Sequence, residues 1–397
     1  MPPPKKTLAA CSCAHVLHDG LSDVTYVLLP LLAQSYGLSL AQVGLIRSAH
    51  RTAMAAFQVP AGLLAERCGS RNLLALGTLV AGLAFIALGF APGFWAILAA
   101  LFFAGLGSAV QHPLSSTLIS HAYPAEGRRA ALGAYNFAGD LGKFAFGGVV
   151  SLALVAGASW QAPVVAFGLC GILTAAAILL FVAEDRARRG KAGAERWRPA
   201  ARAASGWGIR DRQGFAALCA IEILDSSTRT GFLTFVAFLL IARGLPEGWA
   251  VLAVPLILAG GMAGKLACGL LAERFGIVRM VVITETATGI GILATLALPE
   301  FAAFLLLPLV GVVLNGTSSV LYGTIGDFVE QERLPRAFGL FYTLGSVCGI
   351  AAPLGYGMLG DAFGVEAVIA TIGVAIFATI PFALLMKLPA APRPAAR

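Results

Sequence analysis

Long apolar runs alternate with short polar stretches along the chain. A window about 19 residues wide, the length a helix needs to cross hydrocarbon, finds twelve runs. They lie near 8–33, 42–64, 73–91, 95–121, 130–156 and 161–183, then near 213–241, 250–272, 278–298, 301–327, 337–360 and 367–388. Most connections are a few residues, as expected for helices that turn straight back. The exception, 184–212, is rich in Arg, Ala and Gly and too polar to span. The pattern predicts an all-α integral membrane protein of twelve transmembrane helices. Its expected parts are an N-terminal six-helix bundle at 1–183, a cytoplasmic linker at 184–212 and a C-terminal six-helix bundle at 213–397.

Composition agrees with this class. Hydrophobic residues make up 58% of the chain and charged ones 12%, about half the charge of a soluble domain. The net charge of +8 forms no basic stripe with interleaved aromatics, so no nucleic-acid partner is expected. Its distribution instead sets orientation. With the N-terminus inside, 22 of the 28 Lys and Arg fall on the cytoplasmic side, Arg243 alone falls outside, and five lie within spans. The positive-inside rule then places both termini in the cytoplasm of a bacterial inner membrane. Seven scattered cysteines imply no disulfide framework. LAAC at Leu8–Cys11 follows Lys6 too closely to be a signal-peptide cleavage box and reads as the start of the first span.

The chain repeats itself. GLLAERCGSR begins at Gly62 and GLLAERFGIV at Gly269, each after the second span of its half. Within one residue the same offset relates Gly133 and Gly139 to Gly339 and Gly345, and Asp19 and Asp23 to Asp225 and Arg229. An in-phase repeat predicts two parallel six-helix halves, an arrangement that binds solute near the membrane midplane. The loop Gly62, Glu66, Arg67, Gly69, Arg71 resembles the signature loop of the major facilitator superfamily, whose acidic and basic residues latch a cytoplasmic gate. The second copy keeps Gly269, Glu273, Arg274 and Gly276 but has Val278 where Arg71 would be. A narrower resemblance rests on His15 and Asp19, on Gly105–Pro113 and on Gly133–Gly142. It is to the fosmidomycin-resistance branch of drug/proton antiporters, from which Asp140, Lys143 and Gly148 depart.

Charges inside the spans carry the chemistry. Asp19, Asp23, Arg47, Arg51, Asp140, Lys143, Glu222, Asp225, Arg229, Lys265 and Glu285 would each cost about 2.5–3.5 kcal/mol at a helix centre. They must therefore pair or face water. Helical spacing gathers them into stripes: His15, Asp19, Asp23 and Tyr26 in the first span, Arg47, His50, Arg51 and Gln58 in the second. Asn136, Asp140 and Lys143 share a face of the fifth, and Glu222, Asp225 and Arg229 a face of the seventh. Asp23 with Arg51, and Asp225 or Glu222 with Lys265, are the expected pairs. Glu285 reads as structural. His112, before Pro113, reads as a kink that points imidazole into the cavity or as a satisfied structural histidine.

The expected function is proton-coupled secondary transport of a small polar, anionic or zwitterionic organic solute by alternating access, with export favoured. Asp19, Asp23, Asp225, Glu222 and His112 are the candidate proton carriers. Tyr26, His50, Arg51, Asn136, Asp140, Lys143, Arg229 and Lys265 are the candidate solute ligands. Rival readings are a multidrug exporter of lipophilic cations, a proton symporter importing an organic acid, and a sensor with a transporter's fold. No GxSxG, HExxH or paired CxxC supports an enzyme. Cofactors are expected to be none. His15, His18 and Asp19, even with His50, have a spacing that arises by chance, so no metal is expected. The partners are solute, protons and the lipid bilayer, and the expected state is a monomer.

Overall fold

The computed structural model describes residues 4–123, 125–182, 208–330 and 334–386. The helices in the N-terminal part are α1 (Pro4–Tyr36), α2 (Leu40–Cys68), α3 (Ser70–Gly89), α4 (Phe94–Ser108), α5 (Gln111–Ala122), α6 (Ala125–Val155) and α7 (Gln161–Phe181). In the C-terminal part they are α8 (Arg212–Ala242), α9 (Glu247–Phe275), α10 (Ile277–Ala297), α11 (Glu300–Phe328), α12 (Leu334–Phe363), α13 (Val365–Ala375) and α14 (Thr379–Leu385). Among the described residues no strand forms beyond an isolated bridge of Ile209 with Val329. Lipid explains this, because a helix satisfies its backbone polar groups internally.

Two rods are composite. α13 and α14 are joined by a 3-10 turn at Ile376–Ala378. α4 and α5 break at Ala109–Val110, four residues before Pro113. A proline lacks the N–H that would bond the carbonyl four residues back, and its ring crowds that carbonyl. The break therefore falls where the sequence expects the kink. Counted as rods, the helices among the described residues number twelve, and eleven are long and apolar enough to cross a membrane. The other is α2, whose 29 residues include Arg47, His50, Arg51 and Gln58.

By chain contacts the molecule forms two units. The first holds Met1–Leu38 and Leu45–Ser205, the second Ser39–Gly44 and Gly206–Arg397. In the second unit the Asp361 carboxylate accepts hydrogen bonds from the Leu40 and Ala41 amides at 2.7 and 3.0 Å. The expected linker 184–212 lies outside the described residues up to 207.

Close helix approaches rest on glycine. A side chain at Gly142 of α6 would collide with the Val16 backbone of α1, and one at Gly264 of α9 with the Val312 backbone of α11. Without Cβ atoms these backbones reach van der Waals contact, the force that packs helices in lipid. Gly69 and Gly276 join α2 to α3 and α9 to α10 as single residues at φ 86° and 85°, a region L side chains rarely enter. This duplicated turn explains the glycine in both copies of the GLLAER loop. α1 and α8 are the most enclosed rods, with 83% and 72% of their most apolar windows buried. Large apolar side chains such as Val59, Phe90, Trp95 and Leu180 are exposed at 72–78%, a perimeter suited to lipid rather than water.

Candidate functional site

The first unit concentrates its ionisable groups around Asp19, 7% exposed in the middle of α1. Three bases reach its carboxylate: His15 Nε2 at 3.2 Å, Lys143 Nζ at 3.1 Å and His112 Nε2 at 3.5 Å. Each comes from a different helix, α1, α6 and α5. Lys143 also donates to Asp140 at 3.0 Å. The His15 ring stacks on Tyr135 with centroids 4.0 Å apart and meets the His112 ring edge-on at 5.1 Å. Its Nδ1 lies 2.7 Å from the Tyr135 carbonyl. Gly139 makes this approach possible, since a Cβ there would lie 2.5 Å from His15 Nε2 and 2.8 Å from Asp19 Oδ2.

One turn further along α1, Asp23 pairs with Arg47 at 3.8 Å and not with the expected Arg51. Arg47 is 1% exposed. It donates to the Ser22 carbonyl at 2.9 Å and to the Thr25 hydroxyl, and its guanidinium stacks 3.7 Å above the Tyr26 ring. Tyr26 thus serves as a cation–π platform. His50 is equally buried, and neither of its ring nitrogens has a hydrogen-bond partner. The Nε atoms of Arg47 and Arg51 are also buried and unbonded. His50 is pressed against α4 because Gly105 there has no side chain to hold its backbone away.

In the second unit, α8 carries Glu222, Asp225 and Arg229. Asp225 pairs with Arg229 at 3.2 Å, where the sequence suggests Lys265. Lys265 is half-buried on α9, and its carbonyl accepts from Ser319 at 3.0 Å. Glu222 and Glu285 are fully buried, and no carboxylate oxygen of either has a hydrogen-bond partner. A Cβ at Gly345 would lie 2.9 Å from Glu222 Oε1. Gly345 therefore backs onto the acidic stripe of α8 as Gly139 backs onto that of α1.

The predicted residues thus fall into three groups. His112, Asp19, Asp140 and Lys143 meet in one cluster, Asp23 and Tyr26 meet on Arg47, and Glu222, Asp225 and Arg229 share α8. Asn136 is exposed on α6 and makes none of the side-chain bonds described above. The side chains of Glu66, Arg67 and Glu273 lie outside the described residues, Arg274 is exposed, and Arg71 bonds its neighbour Asn72 at 3.1 Å. Gly62 meets nothing within 4 Å. Sequence reasoning placed His15 and Arg47 on the right stripes without giving them roles, and it read Glu285 as structural. No spacing signal marks a lone glutamate in an apolar helix.

His15, His18, Asp19 and His50, whose spacing reads as chance, do not form one cluster. His18 is held by Ser108 at 3.1 Å and Thr78 at 2.9 Å, and His50 lies with the arginines. His15, Asp19 and His112 instead place ligand atoms within 4.8 Å of one another. Their donor types suit a transition metal, yet the Lys143 ammonium already stands on the carboxylate such an ion would need.

Comparison with known proteins adds the lineage. The Major Facilitator Superfamily profile matches residues 11–317. YfnC of Bacillus subtilis, named an uncharacterized MFS-type transporter, is 33% identical over 118 residues, 30% of this chain and 28% of its own length. "Probable sulfoacetate transporter SauU" of Cupriavidus necator is 25% identical over 83% of this chain and 81% of its own. The hexuronate transporter of B. subtilis is 26% identical over 88% and 87%. Among solved structures, the nucleoside transporter NupG superposes with a TM-score of 0.76 at 13% identity, covering 98% of this chain and 100% of that one. At that identity the likeness concerns the fold.

Proposed function

Because this chain belongs to the Major Facilitator Superfamily, it is a multi-pass membrane transporter and not an enzyme, and we propose that it carries a small anionic or zwitterionic organic solute coupled to protons. The observation that carries the solute class is the set of unbonded donors on α2: whichever ring nitrogen of His50 carries the hydrogen, and the Nε–H groups of Arg47 and Arg51. A buried donor left unsatisfied costs about 1–3 kcal/mol, more when charged. An anionic solute relieves that cost. Two relatives are named for sulfoacetate and hexuronate, both organic acids, which supports the same class.

In this reading His50 and Arg51 of the first unit take the acidic group of the solute, with Tyr26, Asn136, Asp140 and Lys143 as further ligands there, and Arg229 and Lys265 are the candidate ligands of the second unit. Asp19, Asp23, His112, Glu222 and Asp225 exchange protons as access alternates. Carboxylates at this depth mark proton or substrate paths. Both termini are cytoplasmic in a bacterial inner membrane, on the placement of the lysines and arginines. The protein acts as a monomer of two six-helix bundles, 1–183 and 213–397. Export is the favoured direction, on the motif resemblance to the fosmidomycin-resistance branch.

A thermal-shift screen of purified protein against organic anions, zwitterions, phosphonates and lipophilic cations tests this. A ligand at about 100 times its Kd adds about 2.7 kcal/mol. An anionic hit that disappears in Arg51→Ala supports the proposal. Hits confined to lipophilic cations replace it with the drug-exporter reading. In liposomes, solute uptake driven by an inward proton gradient with no export would make it an importing symporter.

A further inference from the structure

We infer that His15, Asp19 and His112 of the first unit form a binding site for a divalent transition-metal ion, with zinc as the probe. The tautomer of His15 is the starting point. A carbonyl can only accept, so Nδ1, 2.7 Å from the Tyr135 oxygen, carries the ring hydrogen. A neutral imidazole has a single N–H, which leaves a lone pair on Nε2. That atom is buried and has no hydrogen-bond partner. Histidines that bind metal donate their other ring N–H to a carbonyl or carboxylate, which fixes the tautomer and the ring. Tyr135 does both here, since its ring also stacks on His15 at 4.0 Å.

The neighbouring atoms are spaced for an ion. Zinc bonds nitrogen and carboxylate oxygen at about 2.0–2.2 Å, so tetrahedral ligands stand about 3.3–3.6 Å apart. His15 Nε2 lies 3.2 Å from Asp19 Oδ2, and His112 Nε2 lies 3.5 Å from Asp19 Oδ1. Ligand atoms of all three residues fall within 4.8 Å of one another. The His112 side chain is 45% exposed, so it has room to turn and close the set. A Cβ at Gly139 would lie 2.5 Å from Nε2 and 2.8 Å from Oδ2, and glycine keeps the space beside both atoms clear. Two imidazoles and a carboxylate suit zinc and its transition-metal neighbours. Spacing along α1 cannot show this set, because His112 comes from α5.

Lys143 is the competitor. Its ammonium stands 3.1 Å from Asp19 Oδ2 and 3.0 Å from Asp140 Oδ1. An entering ion displaces it from Asp19 and leaves it on Asp140, so the ammonium keeps a carboxylate. The ion brings twice the charge and also uses the His15 lone pair, which the ammonium leaves idle. Three protein ligands leave a fourth position for water. Zinc held here takes Asp19 and His112 out of proton exchange and so inhibits transport. That consequence rests on the proposed function above, whereas the binding does not.

Zinc titration of tag-free protein in nanodiscs, read by calorimetry and by X-ray absorption at the zinc edge, tests the inference. The expected result is one site per chain with nitrogen and oxygen ligands, weakened at least about tenfold in His15→Gln and in His112→Gln. Lys143→Ala should bind zinc more tightly, a gain that a misfolded variant cannot imitate. No binding by the wild type at millimolar zinc overturns the inference. So does a sulfur ligand shell supplied by cysteine, or wild-type affinity in both histidine variants. An unchanged or weaker affinity in Lys143→Ala does the same for the competition on which the site depends. Zinc that binds as expected yet leaves solute transport intact would overturn the inhibition and leave the site standing.

Discussion

The acidic stripe of α1 meets bases from α1, α2, α5 and α6, whereas the ion pair described on its counterpart in α8 is Asp225 with Arg229 of the same helix. The two stripes began as copies, since Asp225 stands 206 residues after Asp19 and Gly345 stands 206 after Gly139. Both glycines still back onto the stripe of the neighbouring helix. What diverged is the counter-charge. The position equivalent to Lys143 is Gly349, and that equivalent to Asp23 is Arg229. The first unit gives both carboxylates of its stripe basic partners and leaves unbonded buried atoms on the nitrogens of His15 and of α2. The second keeps Glu222 and Glu285 buried with unbonded oxygens. The repeat has conserved a place for backbone approach and changed the chemistry that uses it.

The sharpest way to break this contrast is to remove one base from each side. Arg229→Ala strips Asp225 of its ion pair, and breaking a buried pair costs about 3–5 kcal/mol. Lys143→Ala leaves Asp19 with His15 and His112 and should cost less, about 1–3 kcal/mol, the penalty of a lost buried hydrogen bond. Thermal unfolding of the two variants under one condition measures the difference. Equal losses would mean that the networks are equally redundant.

Next in size is the pair of glycines behind the stripes. Gly139→Ala drives a methyl group against the His15 ring and should cost about 1–3 kcal/mol, as overpacking does. Gly345→Ala crowds the end of a flexible glutamate and meets the Ser226 hydroxyl at ordinary contact distance, so its loss should be smaller, with Glu222 swinging aside. Unfolding midpoints of both variants give the order, and the reverse order would show that Glu222 is the more rigidly held.

The smallest contrast expected is none. Gly69→Ala and Gly276→Ala force the same left-handed turn on an L side chain, at about 1–2 kcal/mol each. Matching shifts in unfolding would show that the duplicated loop is structurally equivalent in both units. A loss confined to Gly69→Ala would tie the first copy to more than its turn.

Much of the fold was legible because lipid simplifies the code. Hydrocarbon admits helices about 20 residues long, so apolar run length marked every rod, including the broken one at Pro113. α2 was marked the same way at 42–64, although its charges keep it from the apolarity of the other eleven rods. The stripes were legible from helical periodicity, which fixes the face of each residue. Partner choice was not. Arg47 and Arg51 are one turn apart on one face, and a turn is 5.4 Å along the axis. Nothing in the spacing says which of them lies level with Asp23.

The sequence by itself therefore determined the helices, the repeat, and the need for buried charges to find partners. The tertiary structure decided which partners they found. It set Lys143 and His112 on Asp19, moved Arg47 onto Tyr26 and Asp23, held His18 on Ser108 and Thr78 and left Glu285 buried with unbonded oxygens. The reason is physical. Periodicity is a property of one helix, whereas the depth and rotation of one helix against the next are set by packing contacts, and these depend on residues far apart in the chain.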